Sequence, residues 1–447
     1  MKTTPGGQNL KEIASAVFQA AVRAVAPETC IRRHLSRSKN RLKAGNTEYS
    51  LDQIDQLYVV GAGKASAAMA RAVEAILEDR IKNGVILTKY GHGVPLKHCK
   101  VIEAGHPVPD ENGVRGTHAL LDLVSGAGPE DLILCLISGG GSALSPAPAE
   151  GISLVDKQKT TRLLLECGAT IHEINPLRKH LSRIKGGRLC TAANGARIVS
   201  LILSDVVGDD LDIIASGITA PDPSSFSDCF DILSRYDLTG KIPDPVRDHL
   251  TTGRDGQVAE TPKPGDSVFE RVQNRIVGSL SNALAAAEAE ARRQGYSPLV
   301  LSSMIQGEAK EVAKVLCGIA REVQRSGKPA SVPVCLLSGG ETTVTVRGDG
   351  LGGRNMELAL SAGISLAGTS GMLLLSAGTD GNDGPTDAAG AFADGTTISR
   401  AAASGLSASE YLTRNDSYHF FGQLEDLFIT GPTRTNVMDL QVLLVDG

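Results

Sequence analysis

Val59-Val-Gly-Ala-Gly-Lys-Ala-Ser66 is the stretch whose reading decides the fold. Residues 56–60 read as a strand, the glycines as a tight turn, and the Ala-rich run to about residue 78 as a helix. A strand entering and a helix leaving puts helix-start N–H groups above the strand, which suits an anion. The spacing is not GxxxxGK[ST], because Tyr58 and Ala65 occupy two of its fixed places. It falls one glycine short of GxGxxG, with Ser66 standing third. A nicotinamide fingerprint also needs an acid about 20 residues on, at the next strand tip. That strand, residues 84–88, ends in Thr88-Lys89 instead. Gly61 and Gly63 are therefore expected to bring backbone to a phosphate, and Lys64 to hold a phosphate or a carboxylate.

Outward from this stretch, short apolar strands alternate with helical stretches. Residues 132–137 and 198–203 are further strands, each followed by Gly, Ser or Asp. Such alternation means parallel βαβ units, with ligands at the carboxyl ends of the strands. The stretch 251–267, TTGRDGQVAETPKPGDS, breaks the pattern and is expected to be a linker. The expected organisation is α/β in two domains. Residues 1–250 form a Rossmann-like parallel sheet with flanking helices, and residues 268–447 a second α/β domain. Its expected strands are 298–302, 332–337, 342–346, 372–376 and 440–445. One six-residue echo, CLISGG at 135–140 against CLLSGG at 335–340, allows either duplication or convergence.

The chain has 447 residues, a net charge of −5 and 50 glycines, which suits loops that do chemistry. A mildly acidic chain with few aromatics is a poor nucleic-acid binder. The eight cysteines include no CxxC pair and read as small buried residues in a reducing compartment. No apolar run approaches the roughly 18 residues of a membrane span. No signal-peptide core opens the chain, so a cytoplasmic protein is expected. Near the N-terminus, Asn9 and Glu12 suit a capping box ahead of an apolar stripe through Ile13, Val17, Phe18 and Ala21.

Five further motifs carry chemistry. Ser138-Gly-Gly-Gly-Ser142 follows an apolar strand, so Ser138, Gly139, Gly140, Gly141 and Ser142 can form a nest of N–H donors for phosphate. The run from Asn175 to Arg188 concentrates Arg178, Lys179, Arg183, Lys185 and Arg188. It reads as a solvated helix face or as a wall facing phosphates, with Lys185 the candidate phosphate ligand. Asp205 follows a buried strand directly and can hold Mg²⁺ or accept a hydroxyl proton. Glu341 sits at a glycine turn as an oxygen ligand. Arg354, with Asn355 beside it, opens a helix after Gly350-Leu-Gly-Gly353, where a guanidinium can grip a carboxylate or phosphate. Residues 376–387 carry Asp380, Asp383 and Asp387; the EF-hand spacing fails because Ala391 stands where Glu is required, so a turn presenting these acids to the cleft is expected.

Taken together, GAGKAS at 61–66, GHPVPDENG at 105–113, SGGGSAL at 138–144, LRKHLSRIKGGRL at 177–189 and LSDVVGDD at 203–210 resemble the glycerate 2-kinase family. So do SGGETTV at 338–344, GLGGRN at 350–355 and GTDGNDGPTDAAGA at 378–391. The resemblance runs in order from about residue 51 to 445. Met356 departs from it, since the family commonly has Gln there. The resemblance implies a C-terminal MOFRL-type domain and an active site between the domains. It implies transfer from ATP, with Mg²⁺, to the 2-hydroxyl of D-glycerate, and first-rank roles for Lys64 and Arg354. On this basis Asp205, Glu341 and Asp380 are the expected metal ligands. Lys64, Arg354 and Asn355 are the expected substrate contacts. A homodimer is compatible with the reading. Family members have also carried the name hydroxypyruvate reductase, which makes a nicotinamide-dependent reductase the rival.

Overall fold

The structure, a computed structural model, describes residues 10–446, so the cap expected at Asn9 lies outside it. The chain divides into two compact units. One comprises residues 27–277. The other comprises residue 278 onward together with the N-terminal helix Leu10–Ala24.

The first unit opens with a small antiparallel sheet of β1 (Leu35–Ser38), β2 (Arg41–Ala44) and β3 (Thr47–Ser50). Its main sheet has six strands: β4 (Leu57–Ala62), β5 (Ile81–Lys89), β6 (Cys99–Ala104), β7 (Leu132–Ser138), β8 (Arg197–Leu203) and β9 (Val272–Gly278). They lie in the order β6-β5-β4-β7-β8-β9. β4 runs parallel to β5 and β7, β5 to β6, and β7 to β8. All seven residues of β7 are buried, as expected of a strand covered by helices on both faces. The chain winds outward from β4 through β6 and then returns to start β7 on the other side of β4. That reversal opens a crevice at the carboxyl ends of β4 and β7.

The second unit holds a mixed sheet. Its strands are β10 (Ser297–Glu308), β11 (Val334–Thr343), β12 (Met372–Gly378), β13 (Gly390–Asp394), β14 (Leu427–Phe428) and β15 (Asp439–Val445). Their order is β10-β11-β15-β12-β13-β14, and β15 runs antiparallel to both its neighbours. Asp439, the first residue of β15, sits opposite Gly340 on one side and Gly378 on the other. The helices Ala309–Ser326 and Arg354–Leu366 share a core with this sheet.

Three expectations are corrected. Residues 251–267 are not a free linker. Residues up to 254 finish the helix Asp244–Arg254, and Thr261 is buried with its hydroxyl donating to Asp222 at 2.9 Å. Polar, Gly- and Pro-rich composition hid a segment that is tied down by hydrogen bonds and leads into β9. The boundary therefore falls near residue 278. The helix Leu10–Ala24 belongs with the second unit, where Phe18 meets Phe428 edge-on at 5.1 Å. Its apolar stripe announced burial but not the surface that would bury it. Residues 342–346 are not a separate strand, because β11 continues through Gly339-Gly340 to Thr343. β7 instead stops at Ser138, so the two CL(I/L)SGG segments lead into different structures.

Gly63 shows how tightly β4 and β7 meet. Its φ is +146°, and a Cβ there would stand 2.1 Å from the Ser138 hydroxyl oxygen. Gly63→Ala should therefore destabilise the protein by about 2–3 kcal/mol. Gly128→Ala, where an added Cβ meets nothing within 4 Å, should be near neutral. Urea unfolding midpoints of the two variants check this.

Candidate active site

The loop after β4 approaches β7 through glycines. A Cβ on Gly61 would stand 2.7 Å from the Leu136 carbonyl oxygen. The loop's N–H groups are engaged internally. Gly63 donates to Leu87 at 3.1 Å, Lys64 to Gly139 at 2.8 Å and Ser66 to Gly63 at 3.2 Å. The Ala65 N–H donates to the Ser138 hydroxyl at 3.0 Å. The expected anion nest at 61–66 is thereby corrected: Gly61 and Gly63 permit strand contact, and the N–H groups are not open to phosphate. Ser138 is likewise a brace, buried and shared between Ala65 and the Ser66 hydroxyl.

The open donors lie one turn later. Among the described residues, the N–H groups of Gly140, Gly141 and Ser142 have no acceptor. Gly140 takes φ +80°, and its missing side chain leaves a place 2.8 Å from the His106 ring and 3.4 Å from Lys64 Cγ. The Lys64 ammonium makes no hydrogen bond or ion pair among the described residues and is half-buried. His106 is drawn down to about 4 by burial, then by Lys64, Lys89 and His92, so its imidazole is neutral at pH 7. The Asp205 carboxylate lies against Gly139, where a Cβ would stand 2.1 Å from Oδ2. The crevice thus gathers a cation, a neutral imidazole, open N–H groups and one carboxylate, an arrangement that can hold and neutralise an anion. His106 was missed as a site residue. Its only signal was membership of the Gly105–Gly113 motif, since it reaches the crevice from β6, two strands away from β4 in the sheet.

The basic run is not a solvated helix face. Lys179 is buried between Asp212 at 2.9 Å and Asp222 at 3.2 Å. Arg188 donates to the Ala259 carbonyl at 3.1 Å, and Arg183 alone among the five is exposed. Lys185 is 1% exposed and donates to the carbonyls of Ser142 at 2.8 Å and Ser145 at 3.1 Å. It holds the 142–145 turn from behind through those two carbonyls.

A second cluster stands in the other unit, at the start of β15. Arg354 grips Asp439 with two donors, Nε to Oδ2 at 2.6 Å and Nη2 to Oδ1 at 3.0 Å. Its Nη1 donates to Glu341 at 2.7 Å. Burial would lower the Arg354 pKa, but Asp439 and Glu341 hold it above the usual range. Asp383 is buried beneath and accepts from the N–H groups of Asn355 at 3.1 Å and Met356 at 2.8 Å, capping the helix Arg354–Leu366. Burial pushes the Asp383 carboxyl up to about 7 against those hydrogen bonds. Asn355 is 1% exposed, with its amide donating to Asp439 and Asp383 and accepting from Ser376. The expected substrate contact at Asn355 is corrected to an internal role, because its side chain is buried and both its amide nitrogen and its oxygen are engaged within the protein. Met356 packs in the core, which suits the apolar departure from the family pattern. Asp387 faces Tyr418, so of the three loop acids only Asp380 stays at the surface of the turn without a side-chain partner, its Oδ1 accepting from Asn382 N–H at 3.1 Å.

The expected metal set does not assemble. Among the described residues, no three His, Cys, Asp or Glu side chains group around a common ion position. Glu341 is committed to Arg354, and Asp380 to its own turn. The Asp205 carboxylate lies against Gly139, next to the open N–H groups of residues 140–142. That donor set fits a magnesium ion carried in on nucleotide phosphates, which needs only one or two protein carboxylates.

A doubly wound sheet with a cationic, glycine-lined crevice at its reversal point defines an α/β protein built to take an anion there. This chain belongs to the glycerate kinase family. The model described as "Domain of unknown function (DUF4147)" matches residues 13–251, and that described as "MOFRL family" matches residues 334–439. The chain is 41% identical over 438 residues to the glycerate 2-kinase of Pyrococcus horikoshii, covering 98% of each. It is also 41% identical to an Agrobacterium vitis protein provisionally named a hydroxypyruvate reductase, over 97% of this chain and 94% of that one. The crystal structure of a Thermotoga maritima glycerate kinase superposes with a TM-score of 0.86 at 39% identity, covering 98% of this chain and 99% of that one.

The Arg354–Asp439 pair joins a half-buried guanidinium to a buried carboxylate, and removing the arginine strands that carboxylate. Arg354→Met should cost about 1–3 kcal/mol of stability. Adding Asp439→Asn should recover a large part of that loss, because the stranded carboxylate is gone. Urea denaturation of the single and double variants measures both effects.

Proposed function

We propose that this protein transfers the γ-phosphoryl group of Mg·ATP to the 2-hydroxyl of D-glycerate, giving 2-phosphoglycerate and ADP. The observation that carries the proposal is the crevice at β4 and β7, where open N–H groups, Lys64 and Asp205 converge. Phosphoryl transfer asks mainly for positioning and charge neutralisation, which these groups supply. The N–H groups of Gly140, Gly141 and Ser142 take phosphate oxygens. Lys64 neutralises charge on the transferring group. As the 2-oxygen bonds to the γ-phosphorus, the bond from that phosphorus to the bridging oxygen breaks and ADP leaves. The hydroxyl proton passes to Asp205, or Asp205 binds the magnesium that arrives with ATP. Arg354 keeps two N–H donors beyond those engaged by Asp439 and Glu341, and we assign them the grip on a substrate carboxylate or phosphate. Asn355 holds Asp439 and so sets the pose of Arg354. Cysteines buried within apolar strands, such as Cys135 and Cys335, suit a cytoplasmic setting.

The reductase reading finds no support in the β4 loop. A dinucleotide pyrophosphate would need the N–H groups of residues 63–66, and these are engaged internally.

Incubation with D-glycerate, ATP and Mg²⁺ should release ADP and feed enolase directly. A need for added mutase would place the phosphate on the 3-oxygen, and NADH consumption with hydroxypyruvate would favour the reductase. Lys64→Ala should lower turnover well over tenfold with an unchanged urea midpoint. Wild-type rates in that variant would remove Lys64 from the mechanism.

A further inference from the structure

Behind the Ser142–Ser145 turn lies a group of cations with no ion-paired acid among the described residues. Lys157, on the helix Leu154–Glu166, is 6% exposed, and its ammonium donates only to the Leu181 carbonyl at 3.2 Å. Lys185 donates only to the carbonyls of Ser142 and Ser145. Arg178, on the helix Ile171–His180, makes no ion pair among the described residues. Its neighbour Lys179, turned to the other side, is matched by Asp212 and Asp222. The acids therefore serve Lys179 and leave the other three uncompensated. Burying an ammonium without an anion is strongly unfavourable, so it loses its proton or awaits a counter-charge.

A second observation points to the same turn. Asn175, one helical turn before Arg178, is 1% exposed, and its amide nitrogen has no hydrogen-bond partner. Its oxygen accepts from the Ser216 hydroxyl at 3.2 Å, and Ser216 meets the Ser142 hydroxyl at 2.8 Å. A polar chain thus runs from the cation helix to the open end of the turn and still holds an unused buried donor.

We propose that Lys157, Arg178 and Lys185 form a buried cationic seat behind the phosphate turn, completed by a phosphate-bearing ligand at the turn, so that binding draws a proton from solvent onto a neutral lysine amine. This rests on the reading of residues 140–142 as a phosphate cradle. Lys157 and Lys185 are then positioning residues that act through the turn.

The charges on the seat have the required sign. Burial and then Arg178 draw Lys157 down to about 7. Burial, Lys157 and Arg178 draw Lys185 well below the usual lysine range. Burial alone lowers Arg178. Among the described residues no carboxylate acts on any of the three. An ordinary lysine in the unfolded chain titrates near 10.4. Between about pH 7 and 10 the unfolded chain therefore binds more protons, and the folded state gains stability as pH rises. Below about 7 the penalty on Lys157 is complete. An anion at the turn opposes the shift, raises the amine's affinity for a proton and relieves the penalty.

Calorimetric titration of the full chain with ATP at pH 8, in buffers of different ionisation enthalpy, tests this, since ATP itself is almost fully ionised there. Uptake of about one proton per ATP is expected. Lys157→Met should lose that proton, raise KM for ATP about tenfold or more while sparing KM for glycerate, and raise the melting temperature of the ligand-free protein. Lys157→Arg should keep KM for ATP but bind without that proton, because a guanidinium stays charged. If the wild type binds ATP with no proton uptake, and Lys157→Met binds it equally well, the seat is refuted and the kinase reading stands. If the wild type binds no ATP at all, both fall.

Discussion

The backbone of Gly63 lies against Ser138 so closely that a Cβ on residue 63 would stand 2.1 Å from the serine hydroxyl. Most of the first unit's chemistry follows from that contact. It joins two adjacent parallel strands at their carboxyl ends, where the sheet's winding reverses. It engages the N–H groups of Lys64 and Ala65, which leaves the Lys64 side chain as the β4 loop's contribution to the crevice. It also carries the chain after Ser138 outward, so that the N–H groups of residues 140–142 stand open. A larger residue at 63 would separate the strand tips and dissolve both effects.

The two clusters manage charge in opposite ways. Around Arg354 the cation is paired: its guanidinium bonds Asp439 and Glu341, and Asn355 bridges Asp439 and Asp383. Matching of that kind fixes geometry, because each donor has one place to go. Behind residues 142–145 the charges are unmatched, with Lys157, Arg178 and Lys185 held by carbonyls or by nothing charged. An unmatched buried set costs stability until a counter-charge arrives.

Sequence pattern made much of this legible. The strand-turn-helix at 59–66 and the largely apolar runs at 132–137 and 198–203 specified a parallel sheet, because strands covered on both faces read as near-continuous apolar runs. The glycine-rich strand tips located the crevice, since ligands collect at the carboxyl ends of such strands. The failed GxxxxGK[ST] and GxGxxG spacings excluded a P-loop and weakened a dinucleotide site on local geometry alone. Length and ordered motifs pointed to the family.

What the sequence determined by itself was therefore local: which segments are strands, where the turns lie and which turns carry donors. Tertiary structure alone decided which donors are open, because the partner that engages Lys64 N–H is Gly139, on a different strand. It decided that Lys185 faces backward and that Asn355 is internal. It also decided that the helix Leu10–Ala24 joins residues more than 250 positions later in the chain. Lys157 gave no periodic or motif signal, and His106 only its place in the Gly105–Gly113 motif, since each acts through neighbours that folding brings from distant segments. Burial and pairing are properties of the assembled neighbourhood, and no spacing along one chain segment encodes them.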